Sequence, residues 1–236
     1  MNQNVTIIKP KVLIKILEDY FPDQNISGTF MMPPSYIGSL TLLESAMLLA
    51  FVKLIRPKKV FEFGTFMGHT SVFFAKNIAE DAKVHTLDVP QNYAVNDGSK
   101  TKASEVDSLL RDQSVTLKAK CITNENKEVK RKINPILCNS LEFETDKLQN
   151  SVDLVFIDGG HETHIISSDT IKATEMITEK GVIVWHDYKS DVFTDVTEYV
   201  DKFSQSHKVF HIAHTNIAFM WKSQEELLLK THRSFS

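Results

Sequence analysis

Short, continuous apolar runs separated by helix-length segments constrain this chain more than any other feature. KKVFEF (58–63), KVHTLDV (83–89), PILCNS (135–140), VDLVFIDGG (152–160) and GVIVWHDY (181–188) each read as a strand. Their apolar residues run on rather than alternate, so both faces of these strands are expected to be covered. Between them, apolar positions at helix spacing predict helices at Thr70–Ala79, at His164–Thr178 and near Val192–Phe203. Strands alternating with helices require right-handed crossovers and therefore a parallel sheet. The last two runs, HKVFHIA and NIAFMW, are joined by a tight turn at His214, Thr215 and Asn216. They close the chain as a hairpin and must bring an antiparallel strand into the sheet. The expected architecture is an α/β fold with a seven-stranded, mostly parallel sheet, a C-terminal antiparallel hairpin and helices on both faces.

Upstream of the first strand, Val12, Leu13, Ile16, Leu17 and Tyr20 recur at helix spacing until Pro22 stops the pattern. Residues 22–38 read as a loop in which Met31, Met32 and Tyr36 are candidates to line a pocket. Thr41 and Glu44 then form a capping-box signature that opens an apolar helix from Leu42 to Ile55, ended by Pro57. The division this implies is an N-terminal helix and loop over 1–39 and a main domain over 40–236, within one globular unit.

Composition excludes several classes of function. Lys plus Arg is 27 against 30 for Asp plus Glu, a net charge of -3, the opposite of the balance expected for a nucleic-acid binder. Cys121 and Cys138 cannot build a disulfide framework. The longest apolar run, Ala46 to Val52, is far below the ~20 residues of a membrane span. With no signal-peptide pattern, a cytoplasmic setting is the expectation, and a homo-oligomer is compatible with it. Residues 91–133 break the rhythm of strand and helix. Between Lys100 and Lys132 they carry nine Lys/Arg against five Asp/Glu. They read as a solvated insertion with a helix near Ser104–Leu110. The sharper reading is a lid that draws in an anionic substrate.

The chain has only eight glycines, so each has a specific backbone reason. In VFEFGTFMGHTS, Glu62, Gly64 and Gly68 fall at the carboxyl end of a strand, where a helix begins. Glycines there let the backbone turn sharply and approach a ligand. Twenty residues after Gly68, Asp88 ends the next strand, where an acid can take both ribose hydroxyls of a nucleoside. A pyrophosphate cradle wants G-x-G-x-x-G, and this chain has G-x-x-x-G preceded by an acid.

On these residues the sequence resembles the class I S-adenosylmethionine-dependent methyltransferases, whose first motif is E/D-x-G-x-x-x-G. EFGTFMGHTS is similar to the form found in small-molecule O-methyltransferases. FIDGGH and GVIVWHDY bring it nearest to the methyltransferase 24 family, and the likeness spans about residues 40–221. The resemblance implies a Rossmann-like fold with S-adenosylmethionine as cofactor and a small-molecule acceptor. It would put Glu62 at the methionine ammonium, Gly64, Thr65 and Gly68 in the backbone cradle, Ser71 at the carboxylate end and Asp88 at the ribose. Asn139 and Ser140 would lie beside the adenine, where the family often has Asp-Ser.

Asp158, His161 and Asp187 all fall at the carboxyl ends of neighbouring strands, where open α/β sheets bind ligands. Methyl transfer is an in-line displacement, so the acceptor must be aimed and made electron-rich, and histidine is the side chain poised to take its proton. The expected machinery is His161 as base, with Asp158 and Asp187 orienting the acceptor. Catechol-type and caffeoyl-CoA-type relatives have a metal-binding Asp where Asp158 stands, a Lys where His161 stands, and Asp-Asn where Asp187 and Tyr188 stand. Asp158 and Asp187 are thus candidate metal ligands, but with Tyr188 in place of Asn the further donors available are the nitrogens of His161 or His186, which disfavours Mg²⁺, a metal that prefers oxygen ligands. O-methylation is the leading reading. An N-methyltransferase acting on a small amine and an inactive nucleoside-binding protein are the alternatives.

Overall fold

The computed structural model describes residues 4–33, 38–90, 102–117 and 119–235. Along the chain run β1 (Thr6–Ile8), α1 (Pro10–Tyr20), α2 (Leu42–Ile55), β2 (Lys59–Phe63), α3 (His69–Asn77) and β3 (Lys83–Asp88). Then follow α4 (Lys102–Leu117), the single turns α5 (Lys120–Thr123) and α6 (Lys127–Lys130), β4 (Ile133–Leu137) and β5 (Val152–Ile157). The chain continues through α7 (Thr163–Met176), β6 (Ile177–Trp185), α8 (Thr194–Phe203), β7 (Phe210–Ile212), β8 (Ala218–Met220) and α9 (Glu225–Arg233). All strands join one sheet in the order β1-β7-β8-β6-β5-β2-β3-β4. Only β8 runs antiparallel to its neighbours, β6 and β7.

The alternation of side chains explains the continuous apolar runs. Val60, Leu154, Phe156, Val182 and Val184 enter the core beneath α1, α2 and α3. Their neighbours Phe61, Val155, Ile157, Ile183 and Trp185 enter the core beneath α7 and α8. Each such side chain, fully withdrawn from water, contributes roughly 1.5–3 kcal/mol. On the second face Trp185 Nε1 also donates to Thr170 Oγ1 at 2.9 Å, so its polar edge is satisfied.

The sheet has eight strands, one more than the seven expected. The extra one, β1, is three residues long and too short to show a period; it forms only because β7 lies ready to pair with it, Thr6 opposite Phe210. Helix α9 was also not expected beyond the hairpin. The consecutive leucines Leu227, Leu228 and Leu229 blur its periodicity, although Leu228 is wholly buried. β4 ends at Leu137; the Cys138 N–H still donates to the Asp88 carbonyl at 2.9 Å, and Asn139 and Ser140 lie beyond the strand. β6 starts early, at Ile177, through an irregularity in its pairing with β5. Among the described residues no helix is long and apolar enough to cross a membrane.

The capping box at Thr41 and Glu44 reaches further than its own helix. Glu44 Oε2 accepts the Thr41 N–H at 2.7 Å, while Oε1 accepts the Asn216 N–H, also at 2.7 Å, from the β7–β8 turn. Oε2 further faces His186 Nε2 at 3.6 Å. Burial pushes this carboxyl up, but the facing imidazole and the two backbone donors outweigh it and hold it at about 2. Its contribution is therefore present above the ordinary carboxylate range and lost as pH falls through about 2. Glu44→Ala is expected to cost on the order of 3 kcal/mol at neutral pH, a lost cap plus a buried partner left unpaired. Urea unfolding of parent and variant measures it.

Candidate active site

A cavity of about 460 Å³ opens at the carboxyl ends of β2, β3, β5 and β6. Its position follows from two glycines. Gly64 leaves β2 at φ +92°, and a Cβ there would lie 2.0 Å from the Asp158 carbonyl oxygen, so the ends of β2 and β5 pass closer than any side chain permits. Gly68, at φ +76°, turns the chain into α3, and a Cβ there would strike Ile122.

Asp88 sits on the cavity wall as expected. Its Oδ2 accepts the Phe66 N–H at 2.9 Å and the Ser114 hydroxyl at 3.2 Å, and Oδ1 accepts its neighbour Val89 N–H at 2.8 Å. Burial pushes this carboxyl above its ordinary range, against the pull of those donors. Thr65, Asn139 and Ser140 line the same wall, and Asn139 Oδ1 accepts the Leu141 N–H at 3.1 Å.

Glu62 and Ser71 are placed differently from the sequence expectation. Both are buried and neither lines the cavity. The Ser71 hydroxyl donates to Glu62 Oε2, which also accepts from Thr86 Oγ1 at 2.6 Å, and Thr86 Oγ1 meets Thr65 Oγ1 at 2.6 Å. Burial drives the Glu62 carboxyl up to about 8 despite these hydroxyl donors, with the nearby Asp158 and Asp88 charges adding to the rise. The pair thus lies in the interior behind Thr65, whose hydroxyl links it through Thr86 to the cavity wall.

On the other side of the cavity Asp158, His161 and Asp187 come together, with donor atoms within 4.8 Å of one another. His161 is clamped at both ring nitrogens: Nδ1 lies 2.5 Å from Asp107 Oδ1 and Nε2 lies 3.0 Å from Asp187 Oδ2. Asp107 also accepts the His161 backbone N–H at 3.1 Å, and the ring stacks on Phe193 at 3.5 Å between centroids. Burial pulls this imidazole down, but the two carboxylates outweigh it and push it up to about 10. Behind it, His186 Nδ1 bridges Asp158 Oδ1 at 3.0 Å and Asp187 Oδ2 at 3.2 Å. Burial opposes its charge, yet Asp187 and Asp158 raise it well above the usual histidine range. Asp187 is held at φ +58°, a conformation that needs such surroundings to persist.

Asp107 escapes sequence reasoning, because it belongs to the insertion and its partner His161 is 54 residues away. The one available signal is the spacing of Asp107, Leu110 and Ser114, which places them along one side of α4, and all three line the cavity. The insertion is thus more than a solvated segment. Met31 and Met32 do not line the cavity; Gly38, Ser39 and Leu40 do, and Tyr36 lies outside the described residues. His164, exposed at the rim, has its Nδ1 3.4 Å from Glu162 Oε2.

The donor set fits Mg²⁺ poorly. A neutral amide oxygen is missing at Tyr188, whose hydroxyl donates instead to Asp201 at 2.6 Å. Two imidazoles already sit against the carboxylates, and Mg²⁺ prefers oxygen. The cradle does fit a nucleoside cofactor. Gly64 leaves room for close approach and Asp88 presents a carboxylate beside it.

A parallel sheet with one reversed strand, a glycine cradle and a strand-end acid define a Rossmann-like methyltransferase. Residues 61–188 match the family model of a methyltransferase domain, methyltransferase 24. The chain belongs to that family and is an S-adenosylmethionine-dependent methyltransferase. None of the curated proteins matches it significantly. Among solved structures it is similar to a Staphylococcus aureus protein provisionally described as a caffeoyl-CoA O-methyltransferase. That pair shares 15% identity and a TM-score of 0.56, covering 87% of this chain and 96% of the other. It is also similar to a Podospora anserina methyltransferase bound to S-adenosylhomocysteine, with 11% identity, a TM-score of 0.53, and 92% and 90% covered. At such identities the likeness is one of fold.

Proposed function

We propose that this enzyme methylates a hydroxyl group of a small molecule, with His161 taking the proton. The arrangement that carries the reading is the Asp107–His161–Asp187 series on the cavity wall beside Asp158. Asp107 accepts Nδ1–H, so that once the ring gives up its second proton in the alkaline range Nε2 is the basic nitrogen, the logic of a nucleophile–histidine–carboxylate triad. An acceptor hydroxyl entering between Nε2 and Asp187 replaces that carboxylate on the ring and passes its proton to Nε2. Asp187 and Asp158, steadied by His186, hold the acceptor in place by accepting from its other polar hydrogens. S-adenosylmethionine held at the Gly64–Asp88 cradle would supply an electrophilic methyl group for in-line displacement by the acceptor oxygen. Glu62, Ser71 and Thr86 support this reading by holding the cradle rigid.

One observation favours a second reading. Asp88, Asp107, Asp158, Glu162, Asp169 and Asp187 line the cavity, and among the described residues no lysine or arginine does. Such a wall suits a neutral or cationic acceptor better than the anionic one that the basic insertion suggests, and an amine is therefore the alternative nucleophile. Release of S-adenosylhomocysteine with a panel of hydroxyl and amine acceptors decides between them; release with neither class would remove the proposal. Turnover is expected to persist in excess EDTA, because imidazoles balance the paired carboxylates. Loss of activity that Mg²⁺ or Mn²⁺ restores would show instead that a metal serves there.

A further inference from the structure

Asp158 and Asp187 face one another beyond the ends of β5 and β6, and the group set between them is His186. It does not line the cavity and is only 4% exposed. Its backbone N–H donates to the Ile157 carbonyl at 3.0 Å, which fixes the residue against the end of β5, next to Asp158. From there the ring presents Nδ1 to both carboxylates at once, 3.0 Å from Asp158 Oδ1 and 3.2 Å from Asp187 Oδ2. Ionised carboxylates only accept, so the hydrogen shared among the three groups is carried by Nδ1. On the far edge of the ring Nε2 faces Glu44 Oε2 at 3.6 Å, and Glu44 is itself tied to Thr41 and Asn216. Phe156 packs beside the ring, with 6.1 Å between centroids. β5, the start of α2 and the β7–β8 turn thus set this imidazole in place together.

Two facing carboxylates repel unless something stands between them, and two kinds of group can do so. A magnesium ion would lie about 2.0–2.1 Å from each oxygen, in the space toward which the Nδ1–H points. A hydrogen-bond donor can hold that point instead, and it leaves no open coordination position for an incoming hydroxyl. We infer that His186 is a positioning residue that stands in for a metal: its Nδ1–H clasps Asp158 to Asp187 from behind the cavity wall and fills the point between them where a divalent ion would bind. The poor fit of Mg²⁺ is then a built feature of the site, and the proton of the acceptor is left to His161. That last consequence rests on the acceptor-site reading of Asp158, His161 and Asp187, whereas the clasp itself does not.

Two substitutions separate the donor from the ring. In His186→Asn the amide N–H falls where Nδ1–H stands, whereas in His186→Gln it falls at the Nε2 end, toward Glu44, and nothing is donated forward. Calorimetric titration with Mn²⁺, an ion suited to carboxylate ligands, reads the clasp without any acceptor. The parent and His186→Asn are expected to bind no Mn²⁺ up to about the millimolar range. His186→Gln is expected to bind it at least about tenfold more tightly than they do. With an acceptor present, His186→Gln should lose at least about tenfold in kcat/KM and recover part of it with Mn²⁺, while S-adenosylhomocysteine affinity stays within about twofold. His186→Asn should lose less. A residue that merely fills the interior would lower the melting temperature of both variants and give neither a Mn²⁺ site nor a response to Mn²⁺. Mn²⁺ binding by the parent well below the millimolar range, or a Gln variant that gains none, would overturn the inference and leave the methyl-transfer reading intact. A parent inactive on every hydroxyl and amine would remove the acceptor reading, and the titrations would still judge the clasp. If His186→Gln does not fold, the other two proteins decide: Mn²⁺ bound by the parent, or an Asn variant as impaired as His161→Ala, overturns the inference, and an active, Mn²⁺-silent Asn variant supports it.

Discussion

His161→Ala is expected to lower turnover about 10²–10⁴-fold, the range removed with a placed base, while cofactor affinity stays within a factor of two or so. Steady-state rates and a titration with S-adenosylhomocysteine measure the two quantities separately. The sign of the pH dependence follows from the clamp. Two carboxylates hold the imidazole protonated up to about 10, so the basic form grows as pH rises. In the parent, kcat/KM should therefore climb through the alkaline range and fall as pH drops. The same clamp stabilises the fold below the ordinary histidine range and gives up that stabilisation as pH rises through about 10. Full activity of the variant with a hydroxyl acceptor would make His161 structural and put the base elsewhere.

Asp88→Ala should weaken S-adenosylmethionine binding at least tenfold and up to about a hundredfold. Two charge-assisted hydrogen bonds to the ribose hydroxyls, roughly 1.5–3 kcal/mol each, are at stake, and water recovers part of them. The fold should survive, because the carboxylate sits at a strand end against a cavity and carries little packing. Unchanged affinity by calorimetry would remove the central support for the cofactor site.

How much of this was legible beforehand depended on the range of each interaction. β2, β3, β5 and β6 are written as local apolar runs, and the Thr41–Glu44 cap as a local spacing, so both could be read from the sequence. β1 could not, since its three residues acquire meaning only beside β7, some 200 positions away. Glu44 was legible as a cap, but its bond to Asn216 spans 172 residues and its approach to His186 depends on the closed fold. The strand-end residues Gly64, Asp88, Asp158, His161 and Asp187 line the cavity because the topology of an open α/β sheet brings strand ends to one rim. Asp107 was not legible as their neighbour, since it looks like an ordinary polar helix residue until the fold sets it against His161. Glu62 and Ser71 were placed at the ligand by motif, whereas they turn to one another in the interior.

The close passage of Gly64 over the Asp158 carbonyl divides the cavity into a floor and a roof with different freedoms. The floor is made where two central strands nearly touch, and any side chain at residue 64 would wedge them apart. The roof comes from Gly38, Ser39 and Leu40 and from the Asp107–Leu110–Ser114 face of α4, segments that stand outside the strand-and-helix repeat. The two are coupled, because Asp107 in the roof holds His161 and Ser114 donates to Asp88 on the floor. An exchanged roof therefore has to bring its own partners for His161 and Asp88, which ties any change of acceptor surface to the chemistry beneath it.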